Sequence, residues 1–107
     1  GFDLVADELR LDEFIEKADL VITGEGRIDR STFDGKVVGG VSAYASAMRK
    51  PLLAVAGQVE IEVKDRIQNI SLTEEFGEHL SHTETANCVQ QSVARFLEGF
   101  KSDNKAI

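Results

Sequence analysis

The 107-residue chain has no tryptophan and only one cysteine, one proline and one tyrosine. With Cys88 alone, no disulfide can form within the chain, so a reducing compartment, the cytoplasm, is expected. Long apolar runs are missing too. The longest, such as Leu52 to Ala56, fall far short of the roughly 20 residues a membrane helix needs. No basic start followed by an apolar stretch reads as a signal peptide. Cations are outnumbered: 12 Lys and Arg against 19 Asp and Glu give a net charge of −7. A field of that sign disfavours nucleic acid and anionic membranes, which bind by having their phosphates neutralised. It leaves room for a small anion held by a local cluster of Arg and Lys. The 42% hydrophobic content suits a globular chain with one core.

The pattern predicts one α/β domain over residues 1–100 and a tail from Lys101 to Ile107. Leu11, Phe14, Ile15 and Ala18 share a helical face, and the first 18 residues read as helical. Asp19 to Thr23 is a continuous β-prone run that Gly24 should end. Continuous apolar residues predict a strand covered on both faces, as in a parallel sheet. Val37, Val41, Tyr44 and Met48 form the next helical stripe, closed by Arg49, Lys50 and Pro51. Gly39 and Gly40 near its start imply close backbone packing or a nearby ligand. Leu52 to Ala56 is a second buried strand ended by Gly57, and Asn69 to Leu72 a weaker third. Val59 to Ile67 fits a strand or a helix, and the β-then-α rhythm favours a helix. A last helix carries Ala86, Val89, Val93, Phe96 or Leu97, and Phe100 on one face, with Ser81 and Glu84 spaced as a capping box. This alternation predicts a three-layer α/β/α domain with a small, mostly parallel sheet, Rossmann- or flavodoxin-like. In such folds ligands sit beyond the carboxyl ends of the strands.

The stretch from Gly24 to Lys36 lies at that position. It offers Glu25, Asp29 and Asp34 as anions, Arg27, Arg30 and Lys36 as cations, and hydroxyls on Ser31 and Thr32. Gly24 and Gly26 leave backbone N–H groups open to close approach, and a helix beginning near Val37 would turn its positive end the same way. Carboxylates that hold Mg²⁺ beside cations that neutralise phosphoryl oxygens are what phosphoryl transfer requires. Two standard motifs fail. Asp29 stands where a dinucleotide fingerprint needs its third glycine, and Val37 follows Gly35 and Lys36 where a P-loop needs Ser or Thr. On these residues alone, a ligand site and a solvated loop whose charges pair with one another are equally good readings.

The residues also carry a resemblance. ADLVITGEGRID from Ala18 to Asp29, then Gly35 and Lys36, a helix, and KPLLAVAG from Lys50 to Gly57 closely resemble the C-terminal part of the type I glycerate kinases. Phe2 to Val5 and the helix to Lys17 look like the segment preceding that motif. The resemblance implies part of a larger two-domain fold with the active site between domains. It also implies an ATP-dependent, Mg²⁺-using kinase that converts D-glycerate to 2-phosphoglycerate. It carries Thr23, Gly24, Glu25, Gly26, Arg27, Asp29 and Lys36 over as active-cleft residues. Chemistry then suggests Arg27 and Lys36 for carboxylate or phosphate, and Glu25 and Asp29 for metal or the substrate hydroxyl. Arg30, Ser31 and Gly57 join Thr23, Gly24 and Gly26 as substrate- or phosphate-binding candidates. Val37 and Val38 depart from the small residue and proline usual in the family, and its amino-terminal acidic, glycine-rich motif has no counterpart here. The chain thus reads as a C-terminal portion or a degenerate copy, inactive alone and prone to self-association through uncovered apolar surface. The competing reading is a non-catalytic α/β module that binds a nucleotide, an organic anion or a protein partner.

Elsewhere the plain readings prevail. His79, His82 and Cys88 have irregular spacing for a metal site, and Cys88 reads as a core thiol. Ser42 and Ser46 have no His at a useful spacing, Tyr44 and Met48 read as core, and Gln58 reads as a loop residue near the site.

Overall fold

The computed structural model describes residues 2–33 and 37–105, with side chains for 6–33 and 37–101. It divides into two compact units, 1–71 and 72–107. In the first unit, helices α1 (Phe2–Leu9) and α2 (Leu11–Lys17) precede strand β1 (Val21–Ile28). A 3₁₀ turn (Arg30–Phe33), helix α3 (Val37–Ala47) and strand β2 (Leu52–Val59) follow. A second 3₁₀ turn (Ile61–Val63) leads to strand β3 (Asn69–Ser71). The sheet order is β1-β2-β3 and both pairings are parallel. On β2, Leu53 and Val55 alternate with Ala54 and Ala56, and all four are buried. The central strand is therefore covered on both faces, as a layered α/β/α fold requires.

The single helix expected over the first 18 residues is instead two. Arg10 takes a left-handed backbone conformation (φ 54°, ψ 46°) between them. The reason lies in the buried positions, Ala6 and Ile15. At about 100° per residue, they would lie on opposite sides of a straight helix. The break lets both face inward. Phe14, expected beside Ile15, is 70% exposed.

Both strands outrun their expected ends. β1 continues through Gly24 and Gly26 to Ile28, and β2 continues past Gly57 to Val59. The parallel register pairs Gly24 with Val55, Glu25 with Ala56, Arg27 with Gln58 and Ile28 with Val59. Ladder hydrogen bonds are made by backbone, so the absence of side chains at the glycines does not end them. Gly57 is required by this extension, since a Cβ there would lie 2.9 Å from the Gly26 carbonyl oxygen.

The segment 59–67, expected as a helix, is not α-helical. Val59 closes β2, Glu60 N–H donates to the Ile28 carbonyl at 2.9 Å, and the 3₁₀ turn follows. Asn69 Nδ2 donates to the carbonyls of Lys64 and Ile67, 2.7 Å each, and ties the loop closed. The helix-like spacing of Val59, Val63 and Ile67 had a different cause: all three pack in the core with Ile28, Val38, Ala54 and Ala56.

Helix α3 forms where expected, with a rotated inner face. Val38, Val41 and Ala45 are buried, Tyr44 and Met48 are half-buried, and Val37 is exposed. Gly39 sits where a Cβ would come within 2.9 Å of Phe33 Cα and the Thr32 carbonyl oxygen. Close backbone packing explains that glycine.

In the second unit, α4 (Leu72–Thr83) is interrupted at Gly77, whose φ of 85° suits glycine, and α5 (Thr85–Lys105) follows. α4 was not expected. The capping box does not form, because Ser81 lies inside α4 and its hydroxyl donates to the Glu78 carbonyl at 3.0 Å. α5 buries Cys88 and Ser92, with Val89, Val93, Phe96, Leu97 and Phe100 half-buried and Ala86 exposed. It runs on through Lys105, beyond the start of the expected tail. No described helix is long and apolar enough to cross a membrane.

Candidate functional site

The ends of β1 and β2 lie side by side, so the residues that leave the two strands meet. Arg27 is the last charged residue of β1 and Asp29 follows the strand, while Glu60 follows β2. An Arg27 amino group is hydrogen-bonded and ion-paired to Glu60 Oε1, and Arg27 Nε lies 3.9 Å from Asp29 Oδ2. Arg30 Nε lies 2.7 Å from Glu62 Oε2. These side chains stay substantially exposed, with 56% for Arg27 and 79% for Arg30.

Asp29 is oriented by its own turn. Ser31 Oγ donates to Asp29 Oδ1 at 2.6 Å, and Asp29 N–H donates to Thr32 Oγ1 at 2.9 Å. Thr32 Oγ1 also lies 3.4 Å from Asp29 Oδ1 and from the Arg27 carbonyl. With 1% exposure, the Thr32 hydroxyl is a buried strut of this turn and is not presented to a ligand. Phe33 closes it, packed against the core with the Arg66 guanidinium 4.1 Å from its ring centroid.

The expected site residues fall into three groups. Arg27, Asp29 and Ser31 come together, and Arg30 stands on the same turn. Thr23, Gly24, Glu25 and Gly26 lie within β1 rather than in a loop, and Thr23 is buried in the ladder. Glu25 accepts a hydrogen bond from Gly26 N–H at 3.2 Å, and Gly57 lies beside Gly26 on β2. Lys36 and Asp34, with Gly35, lie outside the described residues. Gln58 is exposed and registers with Arg27. Glu60 and Glu62 were missed by the sequence reading. Glu60 is 33 positions from Arg27, and only the parallel register puts it there.

Among the described residues, no three His, Cys, Asp or Glu side chains form a group that could hold a metal ion. Mg²⁺ needs no such cage, because it binds through one or two carboxylates together with phosphate oxygens. A carboxylate fixed by a neighbouring hydroxyl, as Asp29 is, suits that use.

The model of the glycerate kinase family matches residues 1–103. A glycerate kinase from Haemophilus influenzae is 46% identical over 57 residues, 53% of this chain and 15% of that protein. One from Bacillus cereus is 46% identical over 59 residues, 55% of this chain and 16% of the relative. A glycerate 2-kinase from Escherichia coli is 43% identical over 63 residues, 59% of this chain and 16% of the relative. The matches thus span about a sixth of the length of these relatives. No solved structure gives a significant match. With most of its length matched by the family model, this chain belongs to the glycerate kinase family.

Proposed function

We propose that the chain supplies one wall of the catalytic cleft of an ATP-dependent glycerate kinase. The reaction is transfer of the terminal phosphoryl group of ATP to a hydroxyl of D-glycerate. The name of the Escherichia coli relative supports 2-phosphoglycerate as the product. One observation carries the placement: Arg27, Asp29 and Glu60 converge beyond the carboxyl ends of two paired parallel strands, where ligands bind in such sheets.

Arg27 is the anchor in this reading. A guanidinium has five N–H donors in a rigid fork, a geometry that matches the two oxygens of a carboxylate or phosphate. Arg30 and Lys36 add positive charge for the phosphoryl oxygens, and Ser31 keeps the Asp29 carboxylate oriented. Gly24, Gly26 and Gly57 keep the strand ends free of side chains. Glu25 positions the substrate hydroxyl. Asp29 or Glu25 would hold Mg²⁺ together with the ATP phosphates, and the ion would supply charge neutralisation for the transferred group. The positioned charges do most of the catalytic work in phosphoryl transfer.

The test is a chimera in which this chain replaces the matching segment of the Haemophilus influenzae glycerate kinase, assayed for D-glycerate-dependent ATP consumption. The chimera should turn over, and the chain alone should not. A folded chimera that binds ATP without turnover would overturn the kinase reading and favour a non-catalytic binding module.

A further inference from the structure

Side-chain contacts join the end of β1 and the segments that follow β1 and β2: Arg27 with Glu60, Arg30 with Glu62, and Arg66 over Phe33. The first two have one feature in common. Each places a carboxylate on an arginine assigned above to an anionic ligand. A carboxylate is the charged group of glycerate itself, and it offers two oxygens to a guanidinium much as a phosphate does. The two contacts differ from the third in their surroundings. Glu60 and Glu62 flank Ile61, which is 84% exposed, whereas Val63 beyond them is 1% exposed and anchored in the core. The acids can swing while the turn beneath them stays fixed by the Glu60 N–H bond to the Ile28 carbonyl.

We propose that Glu60 and Glu62 form a carboxylate latch that occupies Arg27 and Arg30 until an anionic ligand replaces them. The inference rests on the assignment of Arg27 and Arg30 as anion-binding residues. The magnitudes suit an exchangeable contact. Ion pairs this exposed shift an equilibrium by only about two- to fivefold each. A phosphate dianion carries more charge than either carboxylate and displaces them. The latch lowers the apparent affinity of the cation pair for any anion by the same modest factor, so it sets a threshold without closing the site.

The experiment is a titration of the chain with inorganic phosphate, followed through the Nε–Hε signals of Arg27 and Arg30 by NMR. The forms compared are wild type, Glu60→Gln with Glu62→Gln, Asp65→Asn and Arg27→Ala. Glutamine keeps the length of each side chain, and far-UV circular dichroism checks that every form is folded. Asp65→Asn removes one negative charge, as each glutamine does, from an exposed site in the same segment. The double variant should bind phosphate roughly four- to twenty-fivefold tighter, with the Arg27 signal shifted before any phosphate is added. Asp65→Asn should change affinity by less than about twofold. Binding by the double variant alone would also support the latch. Equal or weaker binding in the double variant, or equal tightening in Asp65→Asn, overturns the latch while the site assignment stands. Undiminished binding in Arg27→Ala, or no binding in any form, removes the site assignment and the latch with it.

Discussion

The ends of β1 and β2 are neighbours in space with opposite contents. β1 delivers arginines and hydroxyls, and β2 delivers two glutamates. Each end also carries a glycine, and the two are not equivalent. A Cβ at Gly57 would strike the Gly26 carbonyl oxygen at 2.9 Å, whereas a Cβ at Gly26 would meet nothing within 4 Å. Packing demands glycine at 57 and does not demand it at 26. β2 is therefore the structural member of the pair. β1 holds a bare backbone toward open space in the middle of the stretch from Ala18 to Asp29.

Four substitutions test that contrast, and urea denaturation reads all of them. Leu53→Ala should have the largest effect. Leu53 has no exposed surface, and its loss should cost about 2–5 kcal/mol. Next comes Gly57→Ala, at about 1–3 kcal/mol, because the obstructing atom is backbone that cannot rotate away. Ile22→Ala, on the residue that registers with Leu53 but is 43% exposed, should cost less than about 1 kcal/mol. Gly26→Ala should be smallest, within about 0.5 kcal/mol of wild type. If Ile22→Ala proved as damaging as Leu53→Ala, or Gly26→Ala as damaging as Gly57→Ala, the division between the two strands would collapse.

The sequence made the apolar cores of the strands plain and hid their limits, since β1 begins at Val21 rather than Asp19 and both strands run past their glycines. Val21 to Thr23 and Leu52 to Ala56 are apolar enough to announce burial. Beyond them the glycines and charges imitate a turn, although backbone pairing continues to Ile28 and Val59. Local periodicity failed for a related reason at Val63 and Ile67, whose burial came from a tied loop rather than a helix. α4 was illegible because Gly77 interrupts it and its apolar positions are sparse. In the site, Arg27, Asp29 and Ser31 are close in sequence and could be grouped by eye. Glu60 and Glu62 could not, since nothing local links them to the arginines they meet. The parallel register is the missing information, and it is a property of the sheet as a whole.

Arg27 is where the two strand ends join, so its removal is the most direct measurement. In the Haemophilus influenzae chimera, Arg27→Ala should lower kcat/KM for D-glycerate by about a hundredfold or more, the scale of losing one preorganised charge-stabilising donor from a catalytic cleft. Arg27→Lys should recover only part, because an ammonium lacks the planar fork that grips a carboxylate or phosphate through two parallel hydrogen bonds. Full activity in a folded Arg27→Ala chimera would contradict the account.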